Sequence, residues 1–292
     1  MDRLLFLLAA GLARGAVLAL FALSLVIVWR AARVVNFAQA AMAAAAVYAA
    51  FHATAATGSY WIGLATGLAA GALLGAAVER GLMRRLPAHA PLPGIIVAIG
   101  LVMVLQAGLA IAFGPEHRPM HPPFSQWPFV IGGVPLLSPY DLFTLGAAAA
   151  VMAALALLFN RTPLGLQLRA AAFAPETARL AGVRVPRMVA LGWALSAAAA
   201  ALAALLLVPT ELGLNPHAVD LLFVNAFAVA VIGGLDSPAG ALLAGIGTGL
   251  LVSLVTGYAS ASAAPLAVLA LMTFVLLVRP GGLLAAKEAR TA

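Results

Sequence analysis

The sequence predicts an all-α polytopic membrane protein, a bundle of eight or nine transmembrane helices with one short helix on its cytoplasmic face. Three observations predict it. Of 292 residues 64% are hydrophobic and only 9% charged, with a mean hydropathy of +1.10, whereas a soluble domain is about 45–50% apolar and about 25% charged. The apolar residues form continuous runs rich in Ala and Leu, not the alternating pattern of a β-barrel. Thirteen of the sixteen Lys and Arg residues cluster in loops between those runs and in the tail. Such a chain lacks the polar surface of a soluble enzyme, a disordered tail or a coiled coil, and residues 1–292 are expected to form a single transmembrane domain.

A spanning helix needs roughly 20 mostly apolar residues, because the hydrocarbon core is about 30 Å thick and each residue rises about 1.5 Å. Segments meeting that test are Leu4–Val28, Phe37–Thr54, Trp61–Val78, Ile95–Phe113, Leu142–Phe159, Met188–Val208, Leu221–Gly233, Ala241–Val255 and Pro265–Val278. The seventh and eighth are short and Gly-rich, open to being tilted, broken or re-entrant, and whether both span fully decides between eight and nine. The opening Met1-Asp2-Arg3 and Leu4–Ala10 has the look of a signal peptide, but the apolar run continues to Val28 with only Arg14 interrupting it. An uncleaved first span is therefore expected. Arg14 must snorkel or face the bundle interior, since a lipid-facing charge at depth costs a few kcal/mol.

The net charge of +7 is in this setting a topology signal. Arg30 and Arg33 share one loop, Arg80, Arg84 and Arg85 a second, and Arg161, Arg169, Arg179, Arg184 and Arg187 a third; Arg279, Lys287 and Arg290 lie in the tail. All four groups fall on one side if the spans alternate, and the positive-inside rule makes that side cytoplasmic. The other side carries Glu116, Arg118, Asp141, Glu211 and Asp220. The loop at about 160–187 and the C-terminus are then inside, the N-terminus outside, and the Pro-rich stretch at about 114–139 is an external loop.

Chemistry is scarce within the spans. No Cys is present, so disulfides and thiolate nucleophiles are excluded. His52, His89, His117, His121 and His217 are scattered singly, no HExxH or Gly-x-Ser-x-Gly occurs, and Pro119, Pro122 and Pro123 make the His117/His121 region a loop. Neither an intramembrane carboxylate relay nor an Arg series appears, so energy for any movement of solute must come from another polypeptide. Small residues pervade the spans, as in Gly71–Gly75 and Gly245–Gly249, and predict close helix packing.

Three stretches stand out. In Arg33–Gln39, Asn36 is placed to cap the second helix with Gln39 at N3, a relative of the capping box; a helix start inside a bundle also offers free N–H groups to an anion. Between Asn160 and Arg187, Ala174–Gly182 reads as a short helix, with Pro175 at its first position, Glu176 at its positive end and Gly182 as its left-handed stop. Ala178, Leu180, Ala181 and Val183 give it an apolar strip beside Arg179 and Arg184, suited either to headgroups or to a groove on a soluble partner. Lastly, Asn225–Ala241 reads as a helix running into Gly233-Gly234, a turn through Asp236-Ser237-Pro238, and a second helix from Gly240. It is either a discontinuous helix lining a path or a plain inter-helix turn.

The order Val34–Gln39, Ile96–Gly100 through Gln106, Thr162–Gly165 through Gly182, Ala226-Phe227 through Gly240, and Arg279–Leu283 resembles the inner-membrane permease subunits of branched-chain amino acid ABC importers, from about Gly11 to Leu284. The resemblance implies a bacterial inner-membrane importer. In it a periplasmic binding protein delivers substrate, two related permeases, a second one commonly a paralogue, form the pathway, and two cytoplasmic ATPase subunits supply the energy. It implies that Pro175–Arg184 is the coupling helix region that docks on an ATPase, with Pro175, Glu176, Arg179, Leu180, Gly182 and Arg184 in its recognisable positions. The pathway or gate is expected near Asn36, Gln39, Asn225, Gly233, Gly234, Asp236 and Gly240. No Walker A sequence is present, so no catalytic residue, metal or cofactor is expected in this chain, with ATP and Mg bound by the partner ATPase. Urea and short-amide importers share the pattern, and a stand-alone channel for a small neutral solute is the other alternative. Two stretches depart from the family, which usually has His-Gly and an acid where this chain has Gln39-Ala40-Ala41, and often Lys where it has Asn225.

Overall fold

The computed structural model describes residues 2–86, 91–131, 133–211 and 213–284. Among them the α-helices run α1 Asp2–Ala32, α2 Gln39–Thr57, α3 Tyr60–Gly81, α4 Pro91–Phe113, α5 Pro139–Arg161, α6 Pro163–Phe173, α7 Pro175–Leu180, α8 Val185–Leu207, α9 Asp220–Gly233, α10 Pro238–Tyr258 and α11 Ala264–Val278. Eight of these, α1 to α5, α8, α10 and α11, are long and apolar enough to cross a membrane, α11 with the 3₁₀ turn Ala261–Ala263 that leads into it. The protein is an all-α polytopic bundle. A two-residue hairpin, β1 Val130–Ile131 with β2 Val134–Pro135, sits in the loop between α4 and α5.

Helix α1 is the hub. It packs on α10, α8, α9 and α5, and Phe21, Leu20 and Leu25 are fully buried along it. Apolar area alone does not hold helices together in lipid, because the tails are as apolar as Leu; close packing of small residues does. The crossing of α1 over α10 shows this. Gly15 sits against the backbone of Gly245 and Ile246, and Gly249 against Gly15. Helices α4, α5 and α11 lie at the periphery and leave most of their apolar side chains outward, Ile111, Leu157 and Leu277 among them.

Contacts between distant segments define the two ends of the bundle. At one end Arg33 Nη1 donates to Asp236 Oδ1 at 2.7 Å, Arg84 Nη2 to the Pro186 carbonyl at 2.8 Å, and Leu283 N to the Ile232 carbonyl at 2.8 Å. Arg30 lies over the Phe159 ring and Arg33 near Phe173. At the other end Arg3 donates to the Gly257 carbonyl, Arg118 and Leu214 exchange two backbone hydrogen bonds at 2.8 Å, and Gln126 Nε2 donates to the Pro209 carbonyl at 2.9 Å. The loops carrying Arg30/Arg33, Arg80/Arg84/Arg85, Arg161–Arg187 and Arg279 therefore meet at one end, as the charge pattern predicts. Lys287 and Arg290 lie outside the described residues.

The two short segments resolve differently. The eighth, expected at Ala241–Val255, is a full-length helix of 21 residues, because Ser237 Oγ accepts from Gly240 N at 3.0 Å and starts it a turn earlier. The seventh, α9, has 14 residues and spans about 21 Å, short of a bilayer core. Its first residue sits level with the body of α4 rather than its end: Asp220 accepts from Gln106 Nε2 at 2.9 and 3.0 Å, and Gln106 lies about 10 Å short of the end of α4 at Phe113. Residues 208–211 and 213–219 thus dip into the bundle before α9 begins, with Val208, Pro209, Leu214 and Val219 buried. The loop at 160–187 is more helical than the sequence suggests, with α6 preceding the short helix α7.

Candidate functional site

The predicted site residues fall in four places, the last of them helix α7. The first is the link between α1 and α2. There the expected capping box is not formed: α2 starts at Gln39 with Ala38 as N-cap, so Gln39 occupies the first helical position rather than N3. Asn36 Oδ1 instead accepts from Ala38 N at 3.0 Å, and Asn36 Nδ2 donates to Gln39 Oε1 at 2.5 Å. Gln39 Nε2 turns inward and donates to Ser196 Oγ at 2.9 Å, the Ser196 carbonyl at 3.2 Å and Ser24 Oγ at 3.3 Å. Asn36 and Gln39 are 1% and 0% exposed. In such surroundings each polar group must find a partner inside the protein, and the network ties α1, α2 and α8 together at one level.

The second place is the connection from α9 to α10. Helix α9 ends at Gly233, Gly234 takes φ +97°, Ser237 N donates to the Gly234 carbonyl at 2.9 Å, and α10 starts at Pro238. This is a tight inter-helix turn at the Arg-rich end rather than a mid-membrane break. Gly233 and Gly240 touch backbone to backbone, so a methyl group on either would fall on the other. Asp236, in the turn, holds Arg33, whose φ of +55° is unusual for a non-glycine residue. Within α9, before the turn, the Phe227 ring lies 6.1 Å from that of Phe37, and the Phe223 ring 6.3 Å from it.

The third place is a cavity of about 170 Å³ near the opposite end. Arg14, Val17 and Leu18 of α1 face Ala218, Leu221, Leu222 and Asn225 across it, and Glu211, Gly213 and Asn215 of the dipping segment cover it with His117 and Leu207. Both α1 and α9 contribute residues at helical spacing, so one stripe of each helix faces the space. Phe223 and Phe227 leave α9 on its other side. Arg14 lines this cavity with its side chain 48% exposed, and its Nη2 lies 3.4 Å from Glu211 Oε1. Of the residues expected to form the pathway, Asn225 alone lines this cavity; Asn36, Gln39 and the Gly233–Gly240 turn do not.

The short helix α7 of the Arg-rich end forms as read. Pro175 occupies its first turn, and Glu176 Oε1 accepts from Arg179 Nη1 at 2.9 Å. Gly182 at φ +82° closes it with paired bonds, Gly182 N to the Arg179 carbonyl at 3.0 Å and Val183 N to the Ala178 carbonyl at 2.9 Å. The expected apolar strip divides, however. Ala178 is buried with Ala171 of α6 and Val185 of α8, and Val183 packs beside them, while Leu180 is 91% exposed. Arg184, exposed, is the last residue before α8, and its carbonyl accepts from Arg187 N and Met188 N. Beside the helix a groove of about 470 Å³ is lined by Pro175 and Arg179 together with Arg33, Arg84 and Glu79.

Sequence reading missed Glu79. Its carboxylate accepts from Arg84 Nε at 3.0 Å and Nη2 at 2.6 Å while its side chain is only 4% exposed, and Arg84 reaches on to α8. The five-residue separation matches neither helical pairing interval, so no sequence signal marks it. Among the described residues no group of three or more His, Cys, Asp and Glu is placed to hold a metal.

A family model described as the permease component of the branched-chain amino acid transport system matches residues 7–278. The chain belongs to this family. It is 28% identical to the high-affinity branched-chain amino acid transport system permease protein LivH of Salmonella typhimurium, over 95% of this chain and 94% of that one. The LivH protein of Escherichia coli matches at the same identity and coverage. BraD of Pseudomonas aeruginosa, named as a permease of the same kind, is 30% identical over 73% of this chain and 71% of its own. The protein is thus a permease component of branched-chain amino acid transport, a multi-pass membrane subunit rather than an enzyme, and one part of a larger transport system.

Proposed function

We propose that this chain is a passive gate in an ATP-driven importer of branched-chain or other small amino acids, worked through α7 by an ATPase that is a separate protein. The observation that carries the reading is the build of α7. Its one buried side chain, Ala178, seats it on α6 and α8, while Leu180 and Glu176 project outward, 91% exposed for the former. A push on the exposed face is therefore delivered to α8, which is packed on α1, α2 and α3. In this reading the Arg-rich end is cytoplasmic, the membrane is the bacterial inner membrane, and ATP and Mg are bound by the partner. Two ATPase subunits, a second and related permease, and a periplasmic binding protein complete the assembly. The names of the relatives favour branched-chain amino acids over urea or short amides as cargo.

The test is purification from detergent with and without Glu176→Lys and Gly182→Trp. Glu176→Lys reverses the charge beside Arg179, and Gly182→Trp forces a bulky side chain into a left-handed position. Both positions are exposed, so the bundle survives. The expected result is an ATPase that co-purifies with the parent chain and is lost from both variants. Retention of the ATPase by both would overturn the assignment of α7.

A further inference from the structure

We propose that the cavity between α1 and α9 is a transient binding site for an aliphatic α-amino acid zwitterion, with Arg14 taking the carboxylate and Glu211 the ammonium. The inference rests on the reading of the chain as an amino acid permease and names the groups that would recognise the cargo.

Arg14 lies about 18 Å along α1 from its first residue, a depth at which an ionisable side chain marks a functional path. Its partner comes from a segment 197 residues away. The contact between them is loose. At 3.4 Å it is the longest ion pair among the described residues, the others being 2.6 to 2.9 Å, and it exceeds the range of about 2.7–2.9 Å for a strong charge-assisted hydrogen bond. The two side chains are 48% and 47% exposed. Arg14 spends one of five donors on Glu211, and Glu211 one of its oxygens, so both keep capacity for an incoming ligand.

A zwitterion offers that pair its mirror image. A carboxylate can engage the guanidinium fork, an ammonium can engage the Glu211 carboxylate, and the site stays neutral with the ligand bound. Below the charges the wall is aliphatic, formed by Val17, Leu18, Leu207, Leu221 and Leu222, which suits a branched hydrocarbon side chain. Asn225, on the same stripe of α9, adds an amide that makes no hydrogen bond within the described residues. The neutral pair also discriminates. A simple carboxylic acid leaves Glu211 without its cation, and a simple amine leaves Arg14 without its anion.

The test is equilibrium binding of radiolabelled L-leucine to the chain purified with its accompanying subunits in lipid nanodiscs, without nucleotide or binding protein. Competitors are L-isoleucine, isocaproate, which lacks the ammonium, and isoamylamine, which lacks the carboxylate. The site predicts displacement by isoleucine and competition about tenfold or more weaker by each single-charge analogue. It further predicts that Arg14→Gln weakens leucine and isocaproate but not isoamylamine, that Glu211→Gln weakens leucine and isoamylamine but not isocaproate, and that Arg14→Lys restores part of the loss. A merely structural ion pair would shift the thermal midpoint without this crossed pattern. Absence of saturable leucine binding, or analogue affinities that fall equally in both variants, would overturn the proposal. An ATPase retained without the crossed pattern sinks this site alone, whereas the crossed pattern in a preparation lacking any ATPase sinks only the ATP-driven reading.

Discussion

Replacing Gln39 by Ala removes a fully buried side chain with four polar contacts. The two Nε2 hydrogens are shared among Ser196 Oγ, the Ser196 carbonyl and Ser24 Oγ, and Oε1 accepts from Asn36 Nδ2. Most of the former partners have alternatives: Ser196 Oγ still donates to the Ser24 carbonyl at 2.7 Å, and Ser24 Oγ to the Phe21 carbonyl at 2.6 Å. Asn36 Nδ2 keeps only the Met42 sulfur at 3.4 Å. One buried donor left without a good acceptor costs about 1–3 kcal/mol. The vacated space, roughly one or two water volumes, adds about 1 kcal/mol at about 24 cal/mol per Å³. The expected loss is therefore about 2–4 kcal/mol, with a trapped water giving the lower figure. Gln39→Met, which refills the space and leaves Asn36 unmet, is expected to lose about 1–3 kcal/mol. Reversible unfolding in mixed micelles measures both. A loss under about 0.5 kcal/mol for Gln39→Ala, or altered cargo selectivity at unchanged stability, would refute the view that this network is a structural tie between helices.

Two further outcomes follow from the packing. Arg84→Ala strands the buried Glu79 carboxylate, whereas Glu79→Ala frees an Arg84 that is 40% exposed and can turn to water; the first is expected to cost about 2–3 kcal/mol and the second about 1 kcal/mol less, read from the same unfolding curves. Gly240→Ala places a methyl group on the Gly233 backbone and is expected to destabilise by about 1–3 kcal/mol, with a lowered yield of folded chain in size-exclusion profiles; an unchanged profile and stability would mean the turn can open.

How much of this the sequence discloses depends on the range of the interaction. The spans, the Arg-rich end and the stop at Gly182 are local or compositional: a run of apolar residues, a cluster of charge, a glycine after six helical residues. They are legible for that reason. The extent of α10 is set by a single cap, Ser237 onto Gly240, which a hydropathy window passes over. Gln39 looks like a capping residue because capping is local, yet its partners lie 15 and 157 positions away, and they outcompete the helix end. Arg14 is conspicuous in an apolar run, but nothing nearby points to Glu211. The strip on α7 divides for a similar reason, since Ala178 and Leu180 differ in what α6 and α8 bring beside them rather than in their own helix. Asn225 stands where the expected pathway and the cavity coincide.

The proposed division of labour between this chain and a fuel-burning neighbour is tested most directly by leucine accumulation in sealed vesicles. Vesicles holding this chain alone are predicted to reach no more than the external leucine concentration, with or without ATP. Those holding it with the proposed partner permease, ATPase and binding protein are predicted to concentrate leucine only when ATP is supplied on the ATPase side. Accumulation above the external level by this chain alone would contradict the account.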